Sequence, residues 1–249
     1  MSSPDKSITA YENASRVAAY DGNMELMHPN RHRMVEVILD VLTAAGSEPG
    51  LVLDLGTGTG FLLQRLFDRF PCARVVAVDG AAPMLDLARE RLGQRASRAD
   101  FRVCDFRDLA PICEAVGPVD AVVSTFALHH LSGVEKTALA RTALSSLRPG
   151  GWFLSGDLVV SEDAYLEALT QRMRVRGIVA RAAGRDPRFA DEGLTEAFLC
   201  KLEQEDNDQP QPLAADLQGL QRAGFEHVSV FWRETREVVL GGVKPRSVL

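Results

Sequence analysis

Paired cysteines, long apolar runs and an excess of basic charge are all missing from this chain of 249 residues. Of its four cysteines, Cys104 and Cys113 lie closest in sequence, nine positions apart, and no C-x-x-C pair occurs. Such spacing offers neither a zinc knuckle nor a disulfide framework. No metal is therefore expected, and the thiols read as small buried apolar residues in a reducing, cytoplasmic setting. No apolar run approaches the ~18–20 residues needed to cross a bilayer. The short polar start, Met1 to Thr9, has no signal-peptide core. Lysine and arginine number 28 against 34 acidic residues, a formal charge of −6. A broad phosphate-binding face is thus not expected, and neither nucleic acid nor membrane is an expected partner.

What the chain does have is alternation. From residue 51 onward, short β-branched runs alternate with helical patterns, which argues for a parallel sheet. Leu51–Leu55 reads as a buried first strand, and Phe61–Phe70 as a helix with Leu62, Leu66 and Phe70 along one face. Arg74–Val78 is the expected second strand, followed by a helix through Met84, Leu85, Ala88 and Leu92. Phe101–Cys104 and Val119–Ser124 read as strands three and four. A helix over 134–147 stops before Pro149-Gly150-Gly151, and Gly151–Asp157 gives the fifth strand.

Residues 162–208 read as two or more helices with no strand between them, too long for a routine crossover. Leu213–Ala223 is a further helix, and Phe225–Trp232 and Glu234–Leu240 are strands joined tightly enough to be antiparallel. The expected architecture is one α/β unit with a seven-stranded, mostly parallel sheet whose last strand is antiparallel, with helices on both faces. Its parts are a helical cap over 1–48, a core over 49–161, a helical insertion serving as a substrate lid over 162–212, and a helix with a strand pair over 213–249.

The most informative stretch is Asp54-Leu55-Gly56-Thr57-Gly58-Thr59-Gly60, where the first strand ends in three glycines and a helix begins. Glycine permits positive φ and lets a ligand approach the backbone closely. Such a turn, at the carboxyl end of the first strand, is where open α/β sheets bind nucleotides. Nineteen residues after Gly60 comes Asp79, near the ~20-residue spacing at which a carboxylate accepts from a ribose diol. A nicotinamide fingerprint would need its third glycine at position 61, which is Phe61, so an oxidoreductase is disfavoured.

With these residues in place, the chain resembles the class I S-adenosylmethionine-dependent methyltransferases. The resemblance implies a Rossmann-like sheet, S-adenosylmethionine as cofactor and S-adenosylhomocysteine (SAH) as product. Asp54, Gly56, Thr57, Gly58 and Gly60 match a first motif that cradles the amino-acid half of the cofactor. Asp79 matches the ribose-binding acid, and Gly80 to Leu85 is similar to a second motif, with Met84 near the adenine. Cys104-Asp105-Phe106 resembles a third, in which Asp105 accepts from the adenine amine and Phe106 gives a backbone contact. Ser124-Thr125-Phe126-Ala127-Leu128-His129-His130-Leu131 looks like a fourth, and Leu147-Arg148-Pro149-Gly150-Gly151 like the loop before strand five. The match runs from about residue 50 to 158 and resumes at 213–241, leaving the insertion uncovered.

A sulfonium methyl is already activated, so alignment with the nucleophile supplies most of the rate, and a base helps when the acceptor carries a proton. His129, preferred over His130, is the expected base; the bland reading of the doublet is loop packing. Asp157 reads first as a solvated helix-capping carboxylate and second as a substrate contact. Tyr11, Tyr20 and His28 in the cap either close over the substrate or staple the lid. The insertion carries Arg172, Arg174, Arg176, Arg181, Arg185 and Arg188. These form either a solvated face balanced by Glu203, Glu205, Asp206 and Asp208, or, through Arg174, a fork for a substrate carboxylate or phosphate.

No Asn/Asp-Pro-Pro-Tyr/Phe run and no Pro-Cys pair follows strand four, against nucleobase methylation. A small metabolite or natural-product intermediate remains as acceptor, with oxygen, nitrogen or carbon as the nucleophile and a homodimer as an admissible assembly. Two other readings stay open. One is a methyltransferase-fold enzyme with other chemistry, since the layout is also similar to carboxy-S-adenosylmethionine synthase and to rearrangement catalysts. The other is a non-catalytic cofactor-binding or partner-binding module.

Overall fold

The computed structural model describes residues 6–46 and 48–246, so Met1–Asp5 of the polar start and the outermost residues of the C-terminal part lie outside the described residues. Seven strands, β1 (Leu51–Leu55), β2 (Arg74–Asp79), β3 (Ala99–Val103), β4 (Val119–Thr125), β5 (Leu147–Leu158), β6 (Glu226–Glu234) and β7 (Glu237–Val243), form one sheet. Their order is β3-β2-β1-β4-β5-β7-β6. Pairings among β1 to β5 are parallel, and β7 inserts antiparallel between β5 and β6. The order reverses at β1, which places a crevice beyond the carboxyl ends of β1 and β4.

Both faces are covered, and the period-2 alternation of each strand feeds two cores. Val52, Val75, Ala77, Val123 and Leu154 pack beneath α3 (Arg31–Ala44) and α4 (Phe61–Arg69). On the opposite face Leu53, Leu55, Val76, Val78 and Val122 meet α6 (Ala110–Val116), α7 (Gly133–Ser146) and α10 (Leu213–Ala223). The helix expected after β2 is α5 (Ala82–Leu92), with Pro83 in its first turn, where a missing N–H costs little.

One expectation needs correction. Strand five starts at Leu147, four residues before the expected Gly151, and carries Pro149-Gly150 inside it. A register shift between Val119↔Leu147 and Ala121↔Trp152 absorbs those residues, with Gly150 at φ +78. The insertion is α8 (Ala164–Ala182), a short turn at Pro187–Phe189, and α9 (Glu192–Glu205). Because α8 ends at a left-handed Ala183 followed by Gly184, Arg174, Arg181, Arg185 and Arg188 do not lie along one helix. Val175, Ile178, Phe189 and Leu199 of the insertion make a small core with Met27 of α2 (Ala14–Met27). That core fastens the insertion to the N-terminal helices, which α1 (Lys6–Ala10) completes.

Candidate active site

The glycine turn after β1 is held from below. Gly56 and Thr57 both donate backbone N–H to Val78 C=O, at 2.8 and 3.0 Å, and Gly56, Gly58 and Gly60 all have positive φ. A Cβ on Gly56 would sit 2.2 Å from the Ala127 Cβ, so the turn must be glycine for space as well as for φ. Asp79 ends β2 and closes the other side. Its Oδ2 accepts from Gly58 N–H at 2.8 Å and its Oδ1 from Ala81 N–H at 2.9 Å. Burial pushes its carboxyl up despite these two backbone donors.

Between them lies a crevice of about 610 Å³, lined by Gly56, Gly58, Asp79, Gly80, Met84, Asp105 and Phe106 together with Tyr11, Tyr20 and His130. Asp54, Thr57, Gly60 and Thr125 do not line it. Asp54 is buried behind the turn, accepting from the Thr57 hydroxyl at 2.9 Å. Burial raises its carboxyl to about 7, and its Oδ1 has no hydrogen-bond partner. Gly60 instead packs against Ala88 of α5. Asp105 faces the crevice with its oxygens engaged: Oδ1 accepts from Arg107 N–H at 2.9 Å, and both oxygens meet the Arg107 guanidinium.

A second chamber, of about 620 Å³, adjoins the first and shares Tyr11, Tyr20 and Phe126 with it. His28, His129 and Arg174 line it, together with Asp206 and Asp208. Phe126, between the two spaces, has φ +49 and sets its ring 4.5 Å from that of His28. Left-handed backbone at a bulky residue is costly and persists only where surrounding packing enforces it. Buried His28 meets Glu237 Oε1 through Nδ1 at 2.9 Å. Burial pulls its pKa down, with Glu237 opposing. Arg174 is bound to Glu203 at 2.5 Å, so its charge is already matched within the insertion.

His129 and His130 form the turn Leu128–His130 just after β4. Asp157, expected in solvent, is instead buried, with Oδ1 2.5 Å from His129 Nδ1. It sits behind the histidine and does not line the chamber, because β5 runs alongside β4 and directs this side chain under the turn. Burial works against a charge on His129, but Asp157 and then Asp208 outweigh it and hold its pKa above the ordinary value. Burial likewise opposes ionisation of Asp157, and the His129 contact overrides it, so its pKa is lowered.

Several site residues escape sequence reasoning. Asp206 and Asp208 look like solvated charges at the end of α9. In the fold Asp206 pairs with Arg16 and accepts from the Tyr11 hydroxyl at 3.2 Å, while Asp208 reaches His130 Nδ1 at 3.0 Å. No spacing pattern announces contacts across such distances. Among the described residues, no helix is long and apolar enough to cross a membrane, and all four cysteines are free.

Comparison with known proteins returns one consistent picture. A family model described as "Methyltransferase domain" matches residues 52–151. A malonyl-[acyl-carrier protein] O-methyltransferase of Geobacter sulfurreducens is 34% identical over 185 residues, covering 66% of each chain. An uncharacterized methyltransferase of Anoxybacillus flavithermus is 31% identical over 157 residues, covering 61% of this chain and 68% of that protein. Among solved structures, magnesium protoporphyrin IX methyltransferase from Synechocystis, with SAH bound, superposes with a TM-score of 0.65 at 18% identity, covering 98% of this chain and 100% of the other. The chain spans 59% to 66% of the length of the first three curated relatives.

Proposed function

Since the chain belongs to the class I S-adenosylmethionine-dependent methyltransferases, we propose that it transfers a methyl group to an oxygen, nitrogen or carbon nucleophile of a small molecule. One observation carries this reading: the crevice between the glycine turn and Asp79 borders, across Tyr11, Tyr20 and Phe126, a second chamber lined by His129. One space suits the cofactor and the other the acceptor.

The residues fit the cofactor. Asp79 retains lone pairs beyond its two backbone donors and is placed to accept from a ribose diol. The backbone of Gly56 and Gly58 is open to close approach, and Met84 supplies an apolar wall. Bound there, the cofactor supplies a methyl group that needs no further activation. The rest falls to the chain. The cap helices α1 and α2 place Tyr11 and Tyr20 over both spaces and exclude water, and the lid, with Asp208, orients the acceptor. Asp157 fixes the His129 ring so that Nε2 is the nitrogen left for the acceptor side. His129 thus activates an acceptor that must lose a proton.

Incubation with methyl-labelled cofactor and a panel of phenols, hydroxy acids and amines tests this. The expected result is label on at least one acceptor, with His129→Ala slowing turnover about 10²–10⁴-fold while SAH affinity stays unchanged. Near-wild-type turnover by that variant would return His129 to loop packing, and a protein that binds SAH yet methylates nothing would overturn the assignment.

A further inference from the structure

No metal signature exists in the sequence, yet the fold gathers three metal-type donors at one point. His129 and His130 come from the turn after β4, and Asp208 comes from the loop that follows α9. Gln209 pins that loop to the turn: its backbone N–H donates to His129 C=O at 2.6 Å and its side-chain amide to His130 C=O at 3.3 Å. One donor atom from each of His129, His130 and Asp208 lies within 4.8 Å of the other two.

Three features distinguish this cluster from an ordinary hydrogen-bond network. First, the donors converge on one point. His130 Nδ1 and Asp208 Oδ1 are 3.0 Å apart, and His129 Nε2 is 3.6 Å from the same oxygen. Yet His130 Nδ1 and Asp208 Oδ1 are both buried without any hydrogen-bond partner of acceptable alignment. Lone pairs aimed at a common centre fit this pattern. Second, His129 Nδ1 is held by the buried Asp157 carboxylate, which directs Nε2 into the cluster. A carboxylate behind a ligating histidine is the usual outer support of a bound ion. Third, the carboxylates of Asp157 and Asp208 have no lysine or arginine within ion-pair distance among the described residues, only the two imidazoles. A cation at the centre would balance them.

We propose that His129 Nε2, His130 Nδ1 and Asp208 Oδ1 bind a divalent transition-metal ion such as Zn²⁺ or Fe²⁺. Two imidazoles and one carboxylate select that class over Mg²⁺ or Ca²⁺, which prefer all-oxygen shells. Three protein ligands leave coordination positions open, as in catalytic rather than structural sites. His130 borders the cofactor crevice, while His129 and Asp208 border the acceptor chamber, so the open positions fall between the two. An acceptor hydroxyl ligated there would pass its proton more readily to solvent water, with His129 acting through the ion and not as the proton acceptor, which specifies how the histidine turn activates the acceptor. This role rests on the two-chamber reading above, whereas the binding of the ion does not.

The test uses the untagged full chain, stripped with chelator and titrated with Zn²⁺ alone against a chromophoric competitor. Co²⁺ substitution gives a second readout through its visible absorption. The expected result is one ion per chain, with Asp208→Ala and Asp208→Asn each weakening binding at least about tenfold. Absence of saturable one-to-one binding, or binding indifferent to both variants, would overturn the proposal. SAH affinity measured on the same samples confirms that the variants are folded. If the ion fails to bind while SAH still does, only the metal site falls; if SAH fails too, the methyltransferase reading falls with it.

Discussion

Asp54 shows most clearly how burial and chemistry compete at a single side chain. It lies behind the glycine turn, 1% exposed, with one hydroxyl donor and one oxygen without a partner. Burial raises its carboxyl to about 7, well above the ~3.9 of an unfolded chain. The folded state therefore holds this proton more tightly than the unfolded state between about pH 4 and 7. Stability from this group is full below that window and is lost as pH rises through about 7, by at most about 1.4 kcal/mol per pH unit. Urea midpoints measured from pH 5 to 8 should fall with pH in the wild type, and Asp54→Asn should flatten that slope. An unchanged slope would mean that Asp54 is ionised in the native protein. Position in sequence predicted where Asp54 and Asp79 stand but not which of them a ligand can touch. The side chain of Asp105 shows the same limit, because Arg107, two residues on, occupies its oxygens.

Among the elements, the glycine turn and the cap–lid pairing contribute differently. The turn is rigid by construction: Gly56 combines positive φ with a neighbour that leaves no room for a methyl. Gly56→Ala should cost on the order of 2–5 kcal/mol and abolish SAH binding, read by thermal melting and calorimetry. A stable variant with normal affinity would show that the turn can shift. The cap is fastened to the insertion in part by side-chain contacts. Arg16 of α2 pairs with Glu205 and Asp206 at the end of α9, and Tyr11 donates to Asp206. Arg16→Ala should speed amide hydrogen exchange in α2 roughly 5–30-fold without touching β1 or β4. Equal protection in both proteins would place the fastening in the Met27–Ile178 packing instead. Element positions were legible because strand and helix periods are local. The early start of β5 was not, since a proline and two glycines look like a break unless the register shift that accommodates them is known.

At the scale of the whole molecule, the sheet brings together what the chain keeps far apart. The glycine turn, Asp79 and the histidine turn were legible because each follows directly from a strand end. Asp206, Asp208 and Glu237 were not, because only the folding of the lid and of β7 back over the sheet carries them to the histidines. Local pattern reads the cofactor side of such a fold well. The second chamber is built from long-range contacts that no local pattern announces. The claim on which the rest depends is that the turn after β1 and the carboxylate ending β2 grip one nucleoside. Calorimetric titration with SAH tests it most directly: the account predicts saturable one-to-one binding that Asp79→Ala weakens at least about tenfold in a chain still folded by circular dichroism. No binding by the wild type, or equal affinity in the variant, would contradict it.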